Sequence, residues 1–136
     1  MGLNPWVRFL GGLSDGELKQ ELRSCSLLLM PSAYGIDSNG RACGEGFGIV
    51  YLEAAQAGRA SIACHQGGQI DLIEDRQNGW LIKPEAEELA LLLMNLARNP
   101  EEISRAGAAA HTRAVTQFSI QVFQSRLLTS LGLLQS

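Results

Sequence analysis

Gly44-Glu45-Gly46-Phe47-Gly48-Ile49-Val50-Tyr51-Leu52-Glu53-Ala54-Ala55 is the stretch on which the fold turns. Glycine at 44, 46 and 48 carries no Cβ, so the backbone there can approach a ligand closely. The apolar, alanine-bearing continuation predicts a helix from Gly48 to Ala57, with Gly58 placed to end it in a left-handed turn. A helix start leaves backbone N–H groups unpaired and carries about half a positive charge, which suits a phosphate or pyrophosphate. A carboxylate beside it suits sugar or ribose hydroxyls, since an ionised carboxylate only accepts hydrogen bonds. The glycines are followed by no Gly-Lys-Ser/Thr, so this is not a P-loop, nor is it the strand–GxGxxG turn of a dinucleotide binder. A helix N-terminus with an acidic residue near its positive end fits the same letters.

Working outward, Leu27-Leu28-Leu29-Met30, stopped by Pro31, predicts a short strand buried on both faces. Pro31 to Gly44 reads as a polar, Gly-rich loop. Trp6 to Leu10 reads as an earlier strand ended by Gly11-Gly12. Ser14-Asp15-Gly16-Glu17 has the capping-box spacing for a helix from Asp15 to Arg23. Beyond the motif, Ala60 to Cys64 is a third strand and Gly67-Gly68 opens a short helix near Ile70 to Glu74. Asn78-Gly79 is a turn into a fourth strand, Trp80 to Ile82. Helices follow at Glu85 to Arg98, from Asn99-Pro100, and from the cap Ser119 to about Leu131, with Phe118 and Phe123 spaced as a hydrophobic staple. Short apolar strands alternating with helices predict an α/β fold: a Rossmann-like parallel sheet of about four strands, helices on both faces, and C-terminal helices.

The 136 residues suit one domain, and a net charge of -3 gives no electrostatic footprint for nucleic acid or an anionic membrane. No apolar run approaches the ~20 residues of a transmembrane helix. The longest run, Leu89 to Met94, reads as core packing. The 3 cysteines, Cys25, Cys43 and Cys64, are odd in number and outside CxxC pairs, which argues against a disulfide framework or a zinc site and for a reducing, cytoplasmic setting. His65, His111 and Trp80 read as structural or surface residues. Glu45 and Glu53 do not suit a glycosidase pair: if both lay on one helix, eight residues would separate them by roughly 12 Å of rise, beyond the roughly 5–9.5 Å such carboxyls need. Two contacts to one long ligand fit better.

The residues resemble the group 1 (family 4) retaining glycosyltransferases of GT-B fold. Glu45 to Ala54, followed by Ala57-Gly58, is similar to that family's E-x7-E motif. Val7-Arg8-Phe9-Leu10-Gly11 with Leu13 to Leu18 is similar to its FxG…LSDxEL segment, and Leu28 to Ser32 to its strand ending in Pro-Ser. Gly67-Gly68, Asn78-Gly79, Asn99-Pro100-Glu101 and Phe118-Ser119 follow in family order. The resemblance implies that Glu45, the catalytic-site acid, contacts the donor sugar. It implies that Gly46, Phe47 and Gly48 offer N–H groups to the diphosphate of a nucleoside-diphosphate sugar, and that Glu53 takes the ribose hydroxyls. It implies neither a cofactor nor a metal, because helix dipole and basic side chains stabilise the leaving diphosphate.

The same resemblance marks residues 1–136 as a partial C-terminal, donor-binding domain. The family's first two strands of this domain, its Gly-Arg…Lys-Gly segment and its acceptor domain have no counterpart here. Chemistry is therefore expected to fail in isolation. The strand at 6–10, deprived of its neighbours, is expected to pair directly with 27–30, or to need a separate N-terminal half or a homo-oligomer. Ala60-Ser61-Ile62 replaces the frequent Pro-Val-Ile, and Asp71 replaces the usual Glu after the Gly-Gly pair. The competing readings are a non-catalytic nucleotide-sugar-binding module, an interaction protein with a vestigial site, and a nucleotide-sugar epimerase. The intact E-x7-E argues against the last.

Overall fold

The structure, a computed structural model, describes residues 5–36, 38–44 and 46–133. Its centre is a three-stranded parallel sheet in the order β1-β4-β5: β1 (Leu28–Met30), β4 (Ser61–Cys64) and β5 (Gly79–Ile82). Register sets Leu29 beside Ile62 and Ile62 beside Trp80, and one residue along sets Met30 beside Ala63 and Ala63 beside Leu81. Because side chains alternate along a strand, these two rows face opposite layers.

The Ile62–Trp80 row carries one core, with Ile82, Leu96 and Ala106 buried against it beneath α4 (Ala86–Arg98) and α5 (Pro100–Gln117). The Ala63–Leu81 row carries the other, with Tyr51, Leu72 and Ile73 from α2 (Ile49–Gln56) and the segment of α3 (Gln69–Leu72). Helices thus cover both faces, as the alternation of elements requires. The helices also pack on one another: Ala55 of α2 meets Ala110 and Ala114 of α5. Gly107 of α5 lies so close to the Gly58 carbonyl that a Cβ would stand 2.3 Å from its oxygen. Small residues let those two backbones approach. Gly58 itself has φ +75°, the left-handed helix end expected at that position.

α1 (Asp15–Ser24) has the full capping box. The Ser14 side chain accepts from the Glu17 N–H, and the Glu17 carboxylate accepts from the Ser14 N–H at 2.8 Å. Ser119 caps α6 (Ile120–Ser130) by accepting from the Val122 N–H.

Four expectations need correction. Residues 6–10 form no strand and do not pair with β1; Trp6 is 86% and Phe9 93% exposed, and Arg8 reaches Glu21 of α1 at 3.1 Å. A short strand gains little without a ladder, and water satisfies its backbone instead. Among the described residues the parallel sheet accordingly has three strands. β1 is not buried on both faces: it has one neighbour, β4, and Leu29 is 41% exposed. The apolar run 89–94 is core only in part. Leu89 and Leu92 pack inward on the face of buried Leu96, whereas Leu91 and Met94 are exposed, since six consecutive helical residues span the whole circumference. Finally, the loop from 31 to 44 contains a small antiparallel pair, β2 (Gly35–Ile36) and β3 (Ala42–Cys43). Trp80, by contrast, is buried in the core as the sequence predicts.

Candidate functional site

The carboxyl ends of parallel strands are where ligands bind in sheets of this kind, and here the segments leaving β1, β3 and β4 meet at that edge. The Gly68 N–H donates to the Gly46 carbonyl at 3.1 Å, and a Cβ at Gly68 would fall 2.1 Å from that oxygen and 2.7 Å from the Phe47 Cα. The Tyr34 ring lies on Gly44, 2.7 Å from where a Cβ would stand, and the Tyr34 N–H donates to Gln66 Oε1 at 2.9 Å. Glycine at 44 and 68 therefore lets three loops close on one another. The Tyr51 hydroxyl, from α2, donates to the Met30 carbonyl at 2.7 Å and ties that helix to the end of β1.

Gly48 is the N-cap of α2, with φ 80° and ψ 59°, a left-handed conformation that glycine adopts without strain. Gly48 has no side chain and so places no side-chain cap on this helix. Gly46, Phe47 and Ile49 around it are exposed and Gly48 is buried, so the helix start meets solvent on one side. Glu53 lies on α2, four residues past Ile49, about 6 Å along the axis. It is exposed and lines a groove of 530 Å³ between α1 and α2, together with Asp15, Lys19, Arg23 and Gln56.

Of the residues predicted for the site, Gly46, Phe47, Gly48 and Glu53 stand on one continuous segment, with the glycines before the helix and the acid on its second turn. Glu45 lies outside the described residues. Sequence reasoning missed Tyr51, whose hydroxyl in an otherwise apolar helix is a readable signal. It also missed Lys19 and Arg23, four apart on α1 and facing Glu53. His65 and His111 are exposed. All three thiols are free, and Cys64 is buried, where desolvation above all and then the Glu88 charge push its thiol up from the ordinary range. No helix among the described residues is long and apolar enough to cross a membrane.

Residues 1–113 match the family described as glycosyl transferases group 1. The chain belongs to that family. Among its relatives is the MMP alpha-(1->4)-mannosyltransferase of Mycolicibacterium hassiacum, 31% identical over 89% of this chain and 28% of the relative. The solved structure of Anabaena Alr3699/HepE in complex with UDP superimposes with a TM-score of 0.78 at 26% identity, over 97% of this chain and 34% of that one. The C-terminal domain of a group 1 glycosyltransferase from Francisella tularensis shares the fold, with a TM-score of 0.64 at 22% identity over 85% of this chain and 53% of that one. The chain thus spans under a third of the mannosyltransferase relative's length. Its parallel sheet with flanking helices matches the Rossmann-like architecture of GT-B domains.

Proposed function

We propose that residues 1–136 are part of the C-terminal, donor-binding domain of a retaining glycosyltransferase, one that transfers a sugar from a nucleoside-diphosphate donor. The observation that carries this reading is the start of α2: a helix N-terminus with glycine at its N-cap, at the carboxyl edge of the sheet, on the same helix as an acid in a groove. The N–H groups of Gly46, Phe47 and Gly48 take the diphosphate, where helix dipole and unpaired donors favour an anion. Glu53 accepts from the ribose hydroxyls, with Lys19 and Arg23 across the groove. Glu45 contacts the donor sugar. Family membership and the UDP-bound Anabaena neighbour support this assignment.

The edge of β1 left open among the described residues and the uncovered Leu29 favour a cleft completed from elsewhere, by a separate N-terminal half or a second copy of this chain. The same observation favours a second reading, a module that binds the nucleotide sugar without turning it over. Both place the chain in the cytoplasm, in keeping with its three free thiols.

Calorimetric titration with UDP, GDP and their sugars tests the proposal. Saturable binding that is lost in Glu53→Ala is the expected result. No binding at millimolar ligand refutes it and leaves the site vestigial. Sugar transfer by this chain alone refutes the view that half of the cleft is supplied from outside.

A further inference from the structure

Gln69 is the first residue of α3 and is fully buried, an unusual place for a side chain with four hydrogen-bonding positions. Its Nε2 donates to the Cys64 carbonyl at 3.1 Å and reaches the Ser32 carbonyl at 3.4 Å. Cys64 is the last residue of β4, and Ser32 lies two residues beyond the end of β1. The amide therefore bridges the two chains just where they leave the sheet and its ladder no longer joins them. Its other end, Oε1, is buried with no partner among the described residues.

A buried acceptor without a donor costs stability, and an apolar side chain of the same length would fill the space without that cost. Packing therefore does not explain the residue. What the amide adds is placement. The residue before it, Gly68, holds the Gly46 carbonyl, so Gln69 fixes the origin from which the loop preceding α2 is held, and fixes it relative to the end of β1. Tyr51 fixes α2 to that same strand end through the Met30 carbonyl. The two bonds clamp the loop leaving β1 from both sides.

We infer that Gln69 is a positioning residue: its buried amide, bridging Ser32 and Cys64, sets the place of the Gly46–Gly48 loop against the carboxyl edge of the sheet. The inference deepens the donor-site reading and rests on it for its consequence in binding. The geometry it describes is independent of any ligand.

The Gln69→Met variant keeps the length and removes the donor. Its melting temperature is expected to stay within a few degrees of the parent chain's, because the two bonds lost at the Cys64 and Ser32 carbonyls are offset by removal of the unpaired acceptor. Amide hydrogen exchange at Ser32 and Gly68, whose N–H groups donate to the Met30 and Gly46 carbonyls, is expected to quicken at least fivefold, while exchange in the β4–β5 ladder stays unchanged. The dissociation constant for UDP or GDP rises by a similar factor. A variant whose melting temperature, ladder protection and loop protection all fall together overturns the inference, because the amide is then a general structural element. Loop exchange equal to the parent's also overturns it, whether or not nucleotide binds. Failure of the parent chain to bind UDP or GDP refutes the donor-site reading, and quickened loop exchange in the variant then still upholds the positioning role.

Discussion

Gly68→Ala is the sharpest probe of the loop arrangement. Gly68 has φ -66° and ψ -18°, an ordinary right-handed helical conformation, so alanine meets no backbone strain there. Away from any neighbour the change would stabilise the protein by about 0.4–1 kcal/mol, by restricting the unfolded chain. Here the new Cβ would stand 2.1 Å from the Gly46 carbonyl oxygen and 2.7 Å from the Phe47 Cα, and both are backbone atoms that cannot rotate aside. Relief to an ordinary carbon–oxygen contact needs a shift of about 1 Å, and the 46–48 loop moves most readily because it faces solvent. A misplacement of about 1 Å in a binding or catalytic constellation can cost up to 100-fold. The predicted outcome is a 10- to 100-fold weaker affinity for UDP or GDP by calorimetry. The melting temperature should fall by no more than about 6 °C, corresponding to about 1–2 kcal/mol of overpacking in a chain of this length. Unchanged affinity in Gly68→Ala would refute the claim that the Gly68–Gly46 contact places the anion-binding backbone.

Other perturbations test separate parts of the structure. Gly107→Ala and Gly16→Ala make the same substitution within a helix with opposite expected signs: the first sets a Cβ 2.3 Å from the Gly58 carbonyl and should destabilise by about 1–3 kcal/mol, whereas the second has open space and should stabilise by up to about 1 kcal/mol, both read by urea denaturation. Glu17 is held below its ordinary carboxylate range by the Ser14 hydroxyl and then by the Ser14 N–H. Its contribution is therefore full above the unfolded-state value near pH 4.3 and is lost as pH falls through the lower folded value, so the acid limb of stability measured by circular dichroism should flatten in Ser14→Ala. Thiol labelling should find Cys43 first, because it is exposed, and Cys64 only on unfolding, because it is buried and its thiol is pushed up; labelling of Cys64 in the native chain at the rate of Cys43 would contradict the packing of β4.

How far the sequence carries can be judged element by element. The helix starts at Ser14 and Ser119 were legible because a cap is a local event, decided by a side chain and a backbone N–H three residues away. The parallel α/β arrangement was legible too, since apolar strands separated by helices leave few other ways to bury both faces of a sheet. The glycine-and-acid motif at 44–55 was legible as a pattern. Its mutual support with Gly68, Tyr34 and Tyr51 was not, because those contacts join segments 10 or more residues apart, and the sequence holds no distance between them.

By itself, then, the sequence determined where helices begin, which strands are apolar and where an anion could meet a helix start, all of them short-range matters of capping, periodicity and glycine content. Only the tertiary structure decided that residues 6–10 stay out of the sheet, that Leu29 remains uncovered, and that four of the six residues of the Leu89–Met94 run face solvent. Whether a strand forms depends on a neighbour to share its ladder, and whether an apolar side chain is buried depends on what lies across from it. Both are properties of partners distant in the chain, which local preference cannot supply.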